Sequence, residues 1–571
     1  MALAGVITRP TLTLKHTPFV FTPYITAFIH SRAFLLVGAL TLFGVCLGFA
    51  WVTEDAFITL RVVDNFVHGY GLTWNVTERV QAYTHPLWLM ALTPVYAVLR
   101  EPFATTILVS VVCLAVAIGV VAWHLRKTPF AFVFGFVVPL AFSPSMQEFA
   151  IGGLENPLSF MLLALFVVMV IKEYPVIPWH RYGLLLALLM LNRMDTVLLT
   201  IPFFIYLFWQ HGRAIRWLEL IRGFLPFIVW ECFSLFYYGF LFPNTKYSKM
   251  NTGLPFADKW KQGLEYGKDF ITQDIAAAIP ILVVLLVSIV LLARRKTRTD
   301  QNLRLVALVA GIVLYTLYVF SVGGDYMSGR FFTLQAFVAA FIYALVLARL
   351  MQSGWGLPKL SIFASIWVLL APLHIHMHEF HPGIMPNGIV SERSYYRMTH
   401  TLFGGCQEGI SEFRFFSKKK CHYEPMWIQN ARKVRVRTRS IATTTENPLI
   451  HVEINWLAGL IPYLAGPEVY FLNVHGLTEP LLARLPIQPG PWRIGHFARN
   501  VPGYYLALIW QNMRPLEKDL QGYYEPLRFI VSGPLFSWRR IKTIILFNLG
   551  YYDDYRERYI RKHPELYIQE K

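Results

Sequence analysis

Residues 51–88 read WVTEDAFITLRVVDNFVHGYGLTWNVTERVQAYTHPLW and follow directly on the first long apolar segment of the chain. An acidic pair, Glu54 and Asp55, stands where that segment is expected to leave a membrane. A short amphipathic run follows, then the turn-rich HGYGLTWN, and His85 opens the next apolar segment. Unpaired charge at that depth costs several kcal/mol, so it needs a reason. We therefore expect this loop to form the floor of an active site.

The composition indicates a polytopic helical membrane protein. Of the 571 residues, 55% are hydrophobic and 15% are charged, and the mean hydropathy is +0.44. Apolar runs of about 15–25 residues alternate with short polar breaks, which is the pattern of membrane-spanning helices. The formal charge of +18 is compatible with nucleic-acid binding. Many basic residues lie instead in short loops between apolar runs, where they set topology. We expect an integral plasma (inner) membrane protein and no nucleic-acid partner.

The chain divides into three predicted parts. Residues 1–32 are a cytoplasmic segment, and residues 33–375 are a transmembrane domain whose first external loop covers 53–85. The positive-inside pattern predicts about eleven spans with a cytoplasmic N-terminus. The run 86–99 has 14 residues, too short to span comfortably, and we expect it to dip into the membrane or lie in its surface. Residues 376–571 are predicted to be an extracytoplasmic α+β domain.

Three local predictions concern the second half of the chain. The last span is expected at 359–373, and alternating patterns predict strands near 433–441 and 468–473. Cys406 and Cys421 both fall in the predicted extracytoplasmic domain. Because that compartment is oxidising, we predict a disulfide between them.

Polar residues concentrate at the predicted external ends of the spans and would meet above one membrane-embedded cavity. They are Glu54, Asp55, Arg61, Asp64, Asn65, Glu155, Arg193, Asp195, Asn244, Lys246, Asp325 and Arg330. Carboxylates beside Arg and Lys suit a substrate that is both anionic and lipid-linked, such as a sugar on a polyprenyl phosphate. The phosphate is bound by Arg or Lys, with a divalent cation as an alternative. One carboxylate would act as general base on an acceptor hydroxyl.

The opening stretch resembles the first external loop of the GT-C membrane glycosyltransferases. More specifically, it resembles the terminal arabinofuranosyltransferase family of mycobacteria and its relatives in other bacteria. Further similar blocks follow in order: GGLENPLSFMLLAL (152–165), NRMDTVLL (192–199), YYGFLFPNTKYSK (237–249), VGGDYMSGRFF (322–332), NVHGLTEPLLARLP (473–486) and RIGHFARNVPGYY (493–505). The family usually has Asp-Asp where Glu54 and Asp55 stand, so only Asp55 keeps the usual residue.

The resemblance implies a GT-C helical bundle and a glycosyltransferase activity. The implied donor is decaprenyl-phosphoryl arabinofuranose, and the implied acceptor is a cell-envelope glycan or glycoprotein. Asp55 and Glu54 are the implied catalytic residues. The predicted substrate-binding residues are Arg61, Asn65, Tyr83, His85, Glu155, Arg193, Asp195, Asn244, Lys246, Asp325, Arg330, His475 and His496. We expect no obligatory cofactor, and Asp55 is the candidate ligand if Mg²⁺ or Mn²⁺ takes part.

Structural roles compete with these functional ones. Asp55 also suits the N-cap of the helix that follows it. Arg61 could pair with Asp64 at i+3, and Glu155 could simply pair with Arg193.

The same holds for the later candidates. Lys246 and Arg330 could bind anionic lipid headgroups, and Asp325 could be a turn residue. His475 and His496 could serve the local structure of a Gly-rich loop.

Two other function classes remain open. One is a transferase of the same fold that uses another lipid-linked sugar. The other is a non-enzymatic transporter for such a lipid, which would show inverted repeats and broken helices at the midplane. The sequence has no internal repeat and its charges cluster at one surface, which favours the enzyme. An inactive scaffold descended from an enzyme is a third alternative.

Overall fold

The computed structural model describes residues 27–353, 385–394, 451–506, 509 and 516–568. Three sequence-based predictions fall outside these residues: the last span at 359–373, the strand at 433–441 and the Cys406–Cys421 disulfide.

The first described part, up to residue 353, is a bundle of α-helices. Its helices are α1 (Arg32–Gly48), α2 (Ala56–Val67), α3 (Pro86–Leu99), α4 (Pro102–His124), α5 (Pro129–Ala141, with a π-helical turn at Phe132–Val137), α6 (Pro144–Phe149), α7 (Asn156–Ile171), α8 (Trp179–Asn192), α9 (Val197–His211), α10 (Trp217–Tyr237), α11 (Asn244–Met250), α12 (Phe256–Gln273), α13 (Ile275–Ala293), α14 (Asp300–Ser321) and α15 (Phe332–Gln352).

Five of these helices, namely α4, α10, α13, α14 and α15, are long and apolar enough to cross a membrane. Four shorter apolar helices, α1, α3, α5 and α7, accompany them. The prediction of a mainly α-helical membrane protein is therefore confirmed. The total of about eleven spans stays a prediction. The run 86–99 forms the separate helix α3, which ends at Leu99 before Pro102 starts α4.

Glycines let neighbouring helices approach closely. A Cβ atom on Gly183 of α8 would lie 2.2 Å from the carbonyl oxygen of Leu220 on α10. A Cβ atom on Gly223 of α10 would lie 2.0 Å from the carbonyl oxygen of His180. Such backbone contact is how small residues support helix association inside a membrane.

The connection between α10 and α13 is largely helical. It contains α11 and α12, and α12 buries one face through Gly263, Tyr266 and Phe270. These residues recur at helical spacing, which explains why a segment with charged residues still packs against the bundle. A Cβ atom on Gly263 would meet the Phe320 carbonyl oxygen at 2.2 Å, so α12 lies directly on α14.

The second described part combines helices with a small sheet. Strand β1 (His451–Asn455) pairs in parallel with β2 (Val469–Asn473), with His451 opposite Val469, and α16 (Leu460–Ala465) connects them. Strand β2 confirms the strand predicted at 468–473. Three more helices follow: α17 (Lys518–Ser532), α18 (Trp538–Asn548) and α19 (Asp553–Lys562).

The two parts share their hydrophobic core. Leu460, Val469 and Phe471 belong to the same buried cluster as the membrane helices. A second cluster combines Phe240, next to α10, with buried residues of α17 and α18. Residues 458–497 are thus packed against the end of the bundle, and this packing forms the walls of a cavity.

Candidate active site

A cavity of about 290 Å³ lies where the loop 53–85, the α14–α15 connection and the second part of the chain meet. Its polar and aromatic lining residues are Glu54, Asp55, Thr59, Tyr83, Thr84, His85, Thr245, Lys249, Tyr326, Arg330, Glu392, Trp456, His475, Arg493 and His496. The structure therefore brings together the predicted site residues Glu54, Asp55, Tyr83, His85, Arg330, His475 and His496.

Three carboxylates form one wall of the cavity. Glu54 Oε1 accepts hydrogen bonds from the backbone N–H groups of Gly459, at 2.7 Å, and Leu460, at 3.1 Å. A Cβ atom at Gly459 would lie 2.0 Å from the Glu54 carbonyl oxygen, so glycine allows this approach. Thr53 Oγ1 donates to Glu392 Oε2 at 2.5 Å. Asp55 makes no side-chain cap to α2, which leaves its carboxylate available to the cavity.

Burial makes these carboxylates weaker acids in concert. It raises the pKa of Glu54 to about 8, with the negative charge of Asp55 adding to the effect. It also raises the pKa of Asp55, although the positive charges of Arg330 and Lys249 act in the opposite direction. The pKa of Glu392 is raised well above its usual value by burial and by Asp55. Burial and the repulsion between neighbouring carboxylates therefore shift all three pKa values upward.

Arg330 connects the acidic wall to a buried ion-pair network. Its Nη1 atom lies 3.8 Å from Asp55 Oδ2 and 3.4 Å from Asp325 Oδ2, and its Nη2 atom lies 3.4 Å from Glu155 Oε1. Gly324 precedes Asp325 with φ of 73°, and a Cβ atom there would meet the Tyr266 ring at 2.4 Å. The turn thus needs glycine in order to present Asp325 to Arg330.

Glu155 is the centre of that network, behind the cavity wall. Arg193 Nη1 lies 3.1 Å from Glu155 Oε1, and His85 Nδ1 lies 3.3 Å from its Oε2. Burial alone would raise the pKa of Glu155, but His85, Arg330 and Arg193 together lower it to about 2. Burial lowers the pKa of His85 to about 4, so its ring is neutral near pH 7. Asp195 in turn binds Arg193 Nη2 at 2.5 Å.

Aromatic rings form another wall of the cavity. The ring centroids of Trp456 and His475 are 5.3 Å apart, those of His475 and His496 are 5.2 Å apart, and those of His496 and Tyr326 are 4.5 Å apart. Burial lowers the pKa of His475 to about 3, with His496 and Arg499 adding to the shift. Burial, followed by Arg493, lowers the pKa of His496 to about 4. Both imidazoles are therefore neutral at physiological pH.

Eight of the thirteen predicted substrate-binding residues do not line this cavity, namely Arg61, Asn65, Glu155, Arg193, Asp195, Asn244, Lys246 and Asp325. Arg61 donates to the carbonyl oxygens of Trp74, Pro462 and Val469. This network replaces the ion pair with Asp64 that the spacing suggested.

Two amides act in the same way. Asn65 donates to the Thr73 and Trp74 carbonyl oxygens, which fixes the turn after α2. Asn244 donates to the carbonyl oxygens of Gly476, Leu477 and Glu479. These side chains hold the loops that surround the cavity.

Helix α11 presents a different lysine from the predicted one. The Lys246 ammonium lies 3.0 Å from the centre of the Phe242 ring and does not line the cavity. Lys249, one turn later on the same helix, does line it. Both lysines lie in the block PNTKYSK, so only their positions around a helix could have distinguished them from the sequence.

The structure adds further lining residues that the sequence did not single out. Tyr326 follows the predicted Asp325 directly, whereas Glu392, Trp456 and Arg493 come from separate segments. Arg493 opens the block RIGHFARNVPGYY, whereas no local pattern marks Glu392 and Trp456, because these two reach the cavity only through contacts between distant parts of the chain.

The suggested divalent cation stays a prediction. Within the ranges that the structure describes, no group of three or more His, Cys, Asp or Glu side chains is arranged to hold a metal ion. Glu54 and Glu392 each have a carboxylate oxygen that accepts a hydrogen bond from the protein. Asp55 is the cavity carboxylate with 26% of its side chain exposed and is the one that could take a further ligand.

Comparison with known proteins agrees with the predicted resemblance. No family model matches the chain, and no solved structure matches it. It is 25% identical to a terminal β-(1→2)-arabinofuranosyltransferase of Corynebacterium glutamicum, over 61% of this chain and 55% of that protein. It is 26% identical to the protein of the same name in Mycobacterium tuberculosis, over 61% of this chain and 62% of that protein. The chain thus spans less than two thirds of the length of these curated relatives, and its predicted resemblance to the terminal arabinofuranosyltransferases is confirmed.

Proposed function

We propose that this protein is a membrane glycosyltransferase that transfers a sugar from a polyprenyl-phosphate donor to a cell-envelope glycan or glycoprotein. Arabinofuranose is the proposed sugar, because both relatives described above carry that sugar in their names. The observation that carries the proposal is the composition of one cavity. It sets a partly exposed carboxylate, Asp55, beside the cations Arg330 and Lys249 at the end of a bundle of apolar helices.

The geometry suits a lipid-linked anionic donor. Arg330 and Lys249 supply positive charge for the donor phosphate, which gains negative charge as it leaves. The apolar helices of the bundle supply an apolar surface for the polyprenyl chain. In the proposed membrane orientation, the cavity and the second part of the chain face the extracytoplasmic side and the N-terminus lies in the cytoplasm.

The proposed step is a simple group transfer. The bond between the sugar C1 and the phosphate oxygen breaks, and its electron pair leaves with the polyprenyl phosphate. A bond forms between C1 and an acceptor hydroxyl oxygen, whose proton passes to Asp55. A raised pKa brings that carboxylate closer to the working pH, which strengthens it as a general base.

A donor panel tests this function. The purified protein in nanodiscs would receive polyprenyl-phosphoryl arabinofuranose, other polyprenyl-phosphoryl sugars, or nucleotide sugars, each with an oligo-arabinan acceptor and with or without chelator. We expect an extended acceptor with the arabinofuranose donor alone. Transfer from another lipid-linked sugar would keep the reaction class and replace the sugar. Transfer from a nucleotide sugar, or from no donor, would overturn the proposal.

A further inference from the structure

The four aromatic rings described above form a continuous series along one side of the cavity. We call Trp456, His475, His496 and Tyr326 the aromatic ladder. Each ring contacts the next edge to face, at a centroid distance of 4.5 to 5.3 Å and an interplanar angle of 70° to 85°, and all four line the cavity. The ladder combines residues from the α14–α15 connection, the loop after β1 and two segments after β2, so folding brings it together from distant parts of the chain.

The ladder has an open end and an enclosed end. Trp456 is 59% exposed, which is unusual for the largest apolar side chain when it adjoins a cavity. Tyr326 at the other end is 8% exposed. The Tyr326 hydroxyl is one of the groups that stabilise the ionised form of Asp55. The ladder therefore leads from the cavity mouth to the proposed base.

The chemistry of these rings fits a neutral carbohydrate. Both imidazoles are neutral at physiological pH because burial lowers their pKa values. Neutral flat rings with polar edges bury the C–H faces of a sugar and leave its hydroxyl groups at the ring edges, as Trp and Tyr do where one side is apolar and the other wet. The anionic donor finds its cations elsewhere, at Arg330 and Lys249.

We propose that the aromatic ladder is the acceptor subsite, in which a sugar ring of a glycan packs on the exposed Trp456 while the terminal hydroxyl reaches Asp55 past the edges of the inner rings. This inference rests on the proposed function and names the site of its acceptor. Because Trp456 stands at the opposite end of the series from Tyr326, an acceptor of several sugars gains contacts with Trp456 that a monosaccharide cannot make.

The test combines acceptor length with removal of the outer ring. Transfer would be measured with a short and a long oligo-arabinan, using wild type, Trp456→Ala and the matched control Trp538→Ala. Trp538 is a 75% exposed tryptophan that does not line the cavity. We expect Trp456→Ala to raise the KM for the long acceptor by roughly 3- to 10-fold and to leave the short acceptor and the donor KM unchanged. The control should behave like wild type.

A second measurement separates this inference from the proposed function. Saturation-transfer NMR would follow oligo-arabinan binding to wild type and Trp456→Ala without any donor. Binding by wild type that weakens in the variant supports the ladder, even where no transfer occurs. Transfer with equal acceptor-length dependence in both proteins overturns the ladder and leaves the function standing. Absence of both binding and transfer in wild type overturns both.

Discussion

Arg330 Nη1 lies 3.8 Å from Asp55 Oδ2. The two residues are far apart in the sequence, because Asp55 lies between α1 and α2 and Arg330 lies between α14 and α15. The same guanidinium also contacts Asp325 and Glu155 at 3.4 Å. Three carboxylates surround this one guanidinium and fix its orientation. In the proposed reaction this arrangement holds Arg330 ready for a phosphate, while it keeps the Asp55 carboxylate next to the leaving group.

Replacing Arg330 by lysine should reduce activity although the positive charge is kept. A lysine keeps the positive charge but has no planar fork that can reach three carboxylates. We expect kcat per folded protein to fall by about 100-fold, the scale of losing one charge-stabilising donor. Arg304→Lys is the matched control, because Arg304 is buried and pairs with Asp300 on α14, away from the cavity. Activity of Arg330→Lys within threefold of that control would contradict the assignment.

Glu155 should matter first for stability. Its pKa is lowered to about 2, so it stays ionised and compensates two buried guanidinium groups. Glu155→Gln leaves Arg193 and Arg330 without that charge, and breaking a buried pair in this way costs roughly 3–5 kcal/mol. Thermal unfolding in detergent would show a clear drop in melting temperature.

The surface pair of Glu219 with Arg216 provides the comparison for that experiment. Arg216 is 60% exposed, and such pairs contribute about 0–1 kcal/mol. Glu219→Gln should therefore melt close to wild type. Equal melting temperatures for the two variants would mean that the ion pairs of Glu155 do not stabilise the folded protein.

The two lysines of α11 allow a comparison within one helix. Lys249 lines the cavity, whereas the Lys246 ammonium lies over the Phe242 ring. If Lys249 attracts the donor phosphate, Lys249→Gln should raise the donor KM by roughly tenfold, which is the loss of one charge-assisted contact of about 1.4 kcal/mol. Lys246→Gln should leave the donor KM unchanged. The opposite order would return the phosphate to Lys246, as the sequence motif suggested.

Glu54 predicts a pH-dependent stability. Its pKa in the folded protein is raised to about 8, above the value of about 4.3 for an unfolded glutamic acid. A raised folded pKa means that the stabilisation is complete at low pH and is lost as pH rises toward the folded value. Wild type should therefore lose stability between about pH 5 and 8 relative to Glu54→Gln, which cannot ionise.

Apparent melting temperatures over that pH range would measure this effect. Glu265→Gln serves as the control, because Glu265 is exposed on α12 and its carboxylate is in water. The melting temperature of Glu54→Gln minus that of wild type should grow with pH, and the control difference should stay flat. Parallel curves for wild type and Glu54→Gln would show that Glu54 does not retain its proton.

The sequence predicted the helical membrane character and much of the cavity wall, because both follow from local patterns. Apolar runs mark spanning helices, and the acidic pair at the end of the first run marks Glu54 and Asp55. Residue types alone did not separate substrate contacts from supports. Arg61 and Asn244 have the chemistry of ligand-binding residues, but carbonyl oxygens from the second part of the chain occupy their donors.

The residues that the sequence missed depend on long-range packing. Glu392 reaches the acidic wall through Thr53, which lies 339 residues earlier in the chain, and no local pattern encodes that distance. Trp456 becomes part of the aromatic ladder only because β1 and β2 bring it next to His475. The structural alternative for Glu155 and Arg193, that the two side chains pair with each other, is found in the structure at 3.1 Å.

The central claim is that Asp55 takes the acceptor proton in sugar transfer from a polyprenyl phosphate. The most direct measurement compares wild type with Asp55→Asn in single-turnover transfer of radiolabelled arabinofuranose from its polyprenyl phosphate to an oligo-arabinan, with donor binding and thermal unfolding recorded in parallel. We expect Asp55→Asn to bind the donor and stay folded but to transfer at least about 100-fold more slowly. Transfer by folded Asp55→Asn at a rate within threefold of wild type would contradict it.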